Sequence, residues 1–119
     1  MMMRLKGHSI LVVEHEPAEA RELASEFAQA GAKVFAAGHL RDALYLAEYP
    51  ALTAAVVNHR LGSDTTAAVC RRLDHLGIPF IFYTKFDPSE IAATWPNAPV
   101  VAKPAGSAEV AETIARLLH

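Results

Sequence analysis

One cysteine, Cys70, is all the chain has, so no internal disulfide can form and a reducing compartment is the expected setting. Net charge is small. Eleven Lys and Arg stand against 13 Asp and Glu, a formal charge of -2 at pH 7, which argues against nucleic acid as a main partner. Long apolar runs are missing at the start. The opening MMMRLKGHSILVV has a few basic residues and then only Ile10 to Val13, too short for a signal-peptide core or a membrane span. A soluble cytoplasmic protein with no membrane partner is expected. No linker, internal repeat or low-complexity segment interrupts the chain, and the repeated opening methionine is given no structural weight.

What is present is a dense apolar pattern. The 119 residues, 52% hydrophobic and 20% charged, suit one domain over 1–119 with a structured core over about 8–118. Strand-length apolar runs recur at 9–13, 33–37, 54–57, 79–83 and 99–102. Between them lie helical patterns. Ala20, Leu23, Ala24 and Phe27 share a face over 17–30, with Pro17 suited to the first turn and Gly31 to the stop. Leu40, Ala43, Leu44 and Ala47 do so over 40–48, and Val69, Leu73 and Leu76 over 65–76. Val110, Ala111, Ile114, Leu117 and Leu118 align over 107–118, behind Ser107 as the expected N-cap. The stretch DPSEIAATWPN at 87–97 holds about two helical turns at most before Pro96.

Five near-continuous apolar strands alternating with amphipathic helices imply a parallel sheet covered on both faces. The expected fold is a flavodoxin-like (βα)5 three-layer sandwich with strand order 2-1-3-4-5 and a shortened fourth helix. Its ligand crevice lies at the carboxyl ends of the strands. Those ends carry Glu14, His15 and Glu16 after the first strand, Asn58 after the third, Thr84 and Lys85 after the fourth, and Lys103-Pro104 after the fifth. Such a set suits a phosphoryl group, with cation and hydroxyl toward its oxygens and carboxylates toward a divalent metal. The plainer reading is that polar residues accumulate wherever strands leave a core.

ILVVEHEP, VVNHRLG, IPFIFYT and VAKP resemble, in order and at matching spacing, the motifs of response regulator receiver (CheY-like) domains over essentially the whole chain. The resemblance implies a stand-alone receiver in two-component phosphorelay signalling. In ordinary receivers an aspartate takes a phosphoryl group from a histidine kinase with the help of Mg²⁺. Here Asn58 falls on the phosphoacceptor, and an amide cannot form an ordinary acyl phosphate. Glu14 keeps the first acidic position, but His15 falls on the second, and imidazole is a poor ligand for Mg²⁺. Arg60 falls where a main-chain carbonyl binds the metal. Thr84 and Lys103 match the phosphoryl contacts. Lys85 takes a usually small position and is expected to crowd the pocket. Val100 replaces the switch aromatic, for which Tyr83, facing the other way, is no substitute.

The resemblance therefore implies an atypical pseudo-receiver, not an enzyme, with no cofactor and weak or no Mg²⁺ binding. Fewer crowded carboxylates favour a pocket stable without metal, in which Asn58 is expected to bond Lys103 or Thr84. Partners would be proteins, a histidine kinase or another signalling protein among them, with no nucleic acid. A homodimer would use the face of the fourth helix, fifth strand and fifth helix. Two alternatives are a non-standard acceptor, Asp64 or Glu14, and a transition-metal or small-molecule site using His15, Glu14, Glu16 and His59. Asp64 is otherwise expected in a loop or as a helix cap, and His59 should face away from Asn58. A flavin is disfavoured, since EHEPAEA lacks a Ser/Thr-rich phosphate cradle. Cys70 reads as a packed or half-buried residue, Trp95 as a lid on the short fourth helix, and Arg71-Arg72 as a solvated face. His8, His39, His75 and His119 read as scattered and solvent-facing.

Overall fold

The computed structural model describes residues 3–119. Met1 and Met2, to which the sequence reading gives no weight, lie outside the described residues. Strands β1 (Ser9–Val13), β2 (Lys33–Ala37) and β3 (Ala54–Val57) fall on the expected runs. A short antiparallel hairpin follows, β4 (Arg60–Leu61) and β5 (Asp64–Thr65). The expected fourth and fifth strands are β6 (Phe80–Thr84) and β7 (Val100–Ala102). The helices are α1 (Pro17–Gln29), α2 (Leu40–Leu46), α3 (Ala67–His75), α4 (Pro88–Thr94) and α5 (Ser107–Leu118). The main sheet is parallel, in the order β2-β1-β3-β6-β7, which is the predicted arrangement.

The period of two along each strand splits the core into two layers. Leu11, Val13, Ala55, Val57 and Phe82 pack with Ala43 of α2, Val69 and Leu73 of α3 and Ile91 of α4. Ile10, Val12, Ala54, Val56, Ile81 and Tyr83 pack on the other side with Leu23 and Phe27 of α1 and Val110 and Ile114 of α5. Because both faces are covered, β1 from Ile10 to Val13 and β3 from Ala54 to Val57 carry only apolar side chains.

Several boundaries depart from the sequence expectation for stated reasons. β6 and β7 begin one residue late, at Phe80 and Val100. Pro79 and Pro99 offer only their carbonyls to the ladder, accepting from Ala55 and Phe82 at 3.1 and 2.9 Å. Ser107 is the first helical residue of α5 rather than its cap. The N-cap is Gly106, and the Ser107 hydroxyl turns to Glu26 at 3.3 Å. Asp64 does not cap α3, whose N-cap is Thr66. It pairs with Leu61 in the hairpin, where Gly62 takes the positive φ of 65° that the tight turn needs. The packed core also begins before residue 8. Leu5 is buried, and its N–H donates to Ala30 O at 2.8 Å. Nor are the histidines all scattered: His8 and His119 meet edge to face with ring centroids 5.4 Å apart.

The short α4 is as expected. Asp87 starts it by accepting from the Ser89 N–H at 2.9 Å, and this hydrogen bond holds the Asp87 carboxyl below its ordinary range. Trp95 at its end packs edge-on against Phe80, with centroids 5.4 Å apart, and covers that corner of the core. No helix among the described residues is long and apolar enough to cross a membrane.

A candidate site at the carboxyl edge of the sheet

Where the strands end, the ladder continues through the first residues of the loops. Glu14 N–H donates to Ala37 O at 3.1 Å, Asn58 N–H to Val13 O at 2.9 Å, and Lys103 N–H to Thr84 O at 2.9 Å. These main-chain bonds bring Glu14, Asn58, Thr84 and Lys103 together. A cavity of about 340 Å³ opens over them. A larger cleft of about 460 Å³ lies at the other end of the sheet, beside Pro79, Phe80 and Trp95, and Asp74 is its sole titratable lining residue.

Glu14 is the hub. Its side chain is 2% exposed. Its Oε1 accepts from Lys103 Nζ at 3.0 Å and from Asn58 Nδ2 at 3.2 Å. Its Oε2 accepts from the Glu16 N–H at 3.1 Å and from the same Asn58 amide at 3.3 Å. The expectation that Asn58 bonds Lys103 or Thr84 is thus corrected. The buried carboxylate is the strongest acceptor within reach, so it takes the amide. Among the described residues no buried side-chain nitrogen or oxygen lacks a partner, so the pocket is satisfied as it stands.

Lys103 has a second anion. Its Nζ lies 2.7 Å from Glu19 Oε1, on the first turn of α1, and 5.2 Å over the ring of Tyr83. Burial works against the ammonium, but the hydrogen bonds to Glu19 and Glu14 outweigh it and hold Lys103 above its ordinary value. Sequence reasoning missed Glu19. The one available signal is that an acidic residue in the first turn of the helix after β1 looks onto the strand ends. Tyr83 faces the α1–α5 layer as expected, and its hydroxyl donates to Ala105 O.

The remaining residues stand further out. His15 is exposed, with Nδ1 3.9 Å from a Glu16 carboxylate oxygen. Lys85 is exposed and lines the cavity. The Thr84 hydroxyl is buried and accepts from the Phe86 N–H at 3.2 Å. Val100 packs against the layer that contains Phe80 and Phe82. Arg60 is exposed above Phe86, 5.9 Å from its ring, and its main chain belongs to the hairpin ladder. Asp64 is exposed in that hairpin and does not line the cavity.

Thr66, also missed, ties this hairpin down. Its buried hydroxyl lies 2.8 Å from Asn58 O and 3.0 Å from His59 O. His59 stacks on Phe86 at 4.2 Å, on the side away from Asn58. Burial, aided by Arg60, holds its pKa below the ordinary value. That placement takes His59 out of the ligand set of the alternative metal reading. Alternation along the strand sends His59 away from Glu14, and among the described residues no three His, Cys, Asp or Glu side chains group to hold a metal ion.

No protein-family model matches the sequence, and no curated protein matches it. Solved structures do. The chain is similar to a response regulator receiver protein from Sinorhizobium medicae, with TM-score 0.85, 21% identity and 96% of each chain covered. It is similar to the non-phosphorylated HemR receiver domain from Leptospira biflexa, with TM-score 0.80, 20% identity, and 93% and 94% covered. A Vibrio cholerae chemotaxis protein aligns with TM-score 0.79 and 18% identity over 93% of this chain and 98% of its own. These likenesses extend over nearly the whole chain, and the chain has the CheY-like, flavodoxin-like α/β fold that receiver domains have.

Proposed function

We propose that this chain is a pseudo-receiver, a signalling module that acts through protein–protein contact without accepting a phosphoryl group. One observation carries the reading. The side chain at the phosphoacceptor position, Asn58, is an amide that spends its N–H bonds on Glu14 rather than a carboxylate open to attack phosphorus. Its partner would be a histidine kinase or another signalling protein of the cytoplasm, and a second copy could dock on the face of α4, β7 and α5. The module would need no cofactor. Its degenerate metal position, Glu14 and His15 with the main chain at Arg60, would bind Mg²⁺ weakly or not at all, because Glu14 is already ion-paired and imidazole suits that cation poorly.

The test is incubation with acetyl phosphate and Mg²⁺ followed by intact mass measurement. The expected result is no phosphoryl adduct of about 80 Da. An adduct mapped to Asp64, Glu14 or any other side chain after borohydride trapping would overturn the reading.

A further inference from the structure

Glu19 has no counterpart in the receiver motifs that the sequence resembles, yet it makes the shorter of the two ion pairs to Lys103, 2.7 Å against 3.0 Å for Glu14. The bland view is that Glu19, its side chain 35% exposed, forms an ordinary surface ion pair of little consequence. Lys103 argues against that view. Its side chain is 5% exposed, so the ammonium is shielded from water and its charge is met by the protein itself. A lysine ammonium has three N–H donors. One is directed to Glu14, Glu19 Oε1 lies 2.7 Å from the nitrogen as a second counter-charge, and the cation also lies over the Tyr83 ring. Little of Lys103 is left for a group entering the 340 Å³ cavity.

We infer that Glu19 is a built-in anionic ligand of Lys103, a positioning residue that occupies the ammonium in place of an incoming phosphoryl oxygen. This rests on the pseudo-receiver reading and extends it: the pocket is silenced twice, once at Asn58 and once, independently, through Lys103. The two locks lie on different elements. Asn58 follows β3, whereas Glu19 sits on α1. A phosphoryl oxygen could recruit Lys103 only by displacing a carboxylate already at hydrogen-bond distance, and both bear negative charge.

The test restores the acceptor and then removes the second lock. In the double variant Asn58→Asp with His15→Asp, the introduced carboxylate at position 58 attacks the phosphorus of acetyl phosphate. A new O–P bond forms as the bond to acetate breaks, and acetate leaves with the electron pair. Adding Glu19→Gln keeps the size of the side chain and removes its charge. Initial rates with acetyl phosphate and Mg²⁺ are read by intact mass for the double and the triple variant. The triple is expected to react at least fivefold faster. A smaller gain, including no adduct in either protein, overturns the inference. A second measurement needs no reversion: Glu19→Gln alone should lower the titration midpoint of Lys103, followed by NMR on labelled lysine, and an unmoved midpoint would also overturn it. Phosphorylation of the unaltered chain would instead overturn the pseudo-receiver reading, which the comparison of double and triple variants does not address.

Discussion

The Asn58 amide donates to both oxygens of the Glu14 carboxylate, at 3.2 and 3.3 Å, across 44 residues of sequence. One amide nitrogen thus bridges the ends of β1 and β3, where the likeness to receivers would place two carboxylates. Its effect is to replace a repulsion by an attraction in a group of side chains largely withheld from water.

Asn58→Asp should therefore destabilise the metal-free protein. It sets a second carboxylate about 3 Å from Glu14 and removes a hydrogen bond to a charged group, a loss of about 1.5–3 kcal/mol. Urea unfolding at pH 7.5 measures it. The deficit should shrink as pH falls through the carboxylate range, where protonation of one group ends the repulsion, and it should shrink when Mg²⁺ is added.

Lys103→Met should cost about 3 kcal/mol near neutral pH, because it leaves the buried Glu14 carboxylate without its cation. The folded-state value of Lys103 lies above its ordinary 10.5. A raised value means that its contribution is complete below 10.5 and is lost as pH rises through the folded value. The gap between parent and variant should close at alkaline pH. Burial also raises Tyr83 and the Lys103 ammonium opposes that rise, so the tyrosine of the variant shifts further up.

Thr66→Val should lower stability by about 1–3 kcal/mol, since Asn58 O loses the hydroxyl that approaches it at 2.8 Å. His59 O keeps the Thr66 N–H at 3.0 Å. Thr66→Ser should recover most of the loss. Hydrogen exchange would place the change in the hairpin of β4 and β5 rather than across the sheet.

Cys70 should be inert in the folded state. It is 1% exposed, and burial pushes its thiol up to about 12. Ellman's reagent at pH 8 should label it only as fast as the structure opens, and in denaturant it should react at once. Prompt labelling of the native protein would contradict this burial.

Periodicity made most of the architecture legible. Continuous apolar runs such as ILVV and AAVV suit only strands covered on both faces, and the helical spacings between them leave a parallel α/β sandwich as the consistent solution. The same alternation placed His59 away from the strand-end cluster and turned Tyr83 toward the α1–α5 layer, since a side chain's face follows from its parity along the strand. Proline set the limits of the short fourth helix. These properties are local, so the chain states them residue by residue.

Which polar groups meet was decided by tertiary structure. Nothing near Asn58 in sequence indicates that its amide turns to Glu14. That choice depends on how far β1 projects beside β3 and on which acceptor is buried most deeply. Glu19, Thr66 and the meeting of His8 with His119 depend likewise on how loops and chain ends return to the sheet. Hydrogen bonds and ion pairs act over about 3 Å, whereas hydrophobic patterning specifies faces and layers. The sequence by itself therefore determined the fold and the edge at which the site forms. Only the folded chain decided that Lys103 stands between Glu14 and Glu19, with Asn58 closing the group.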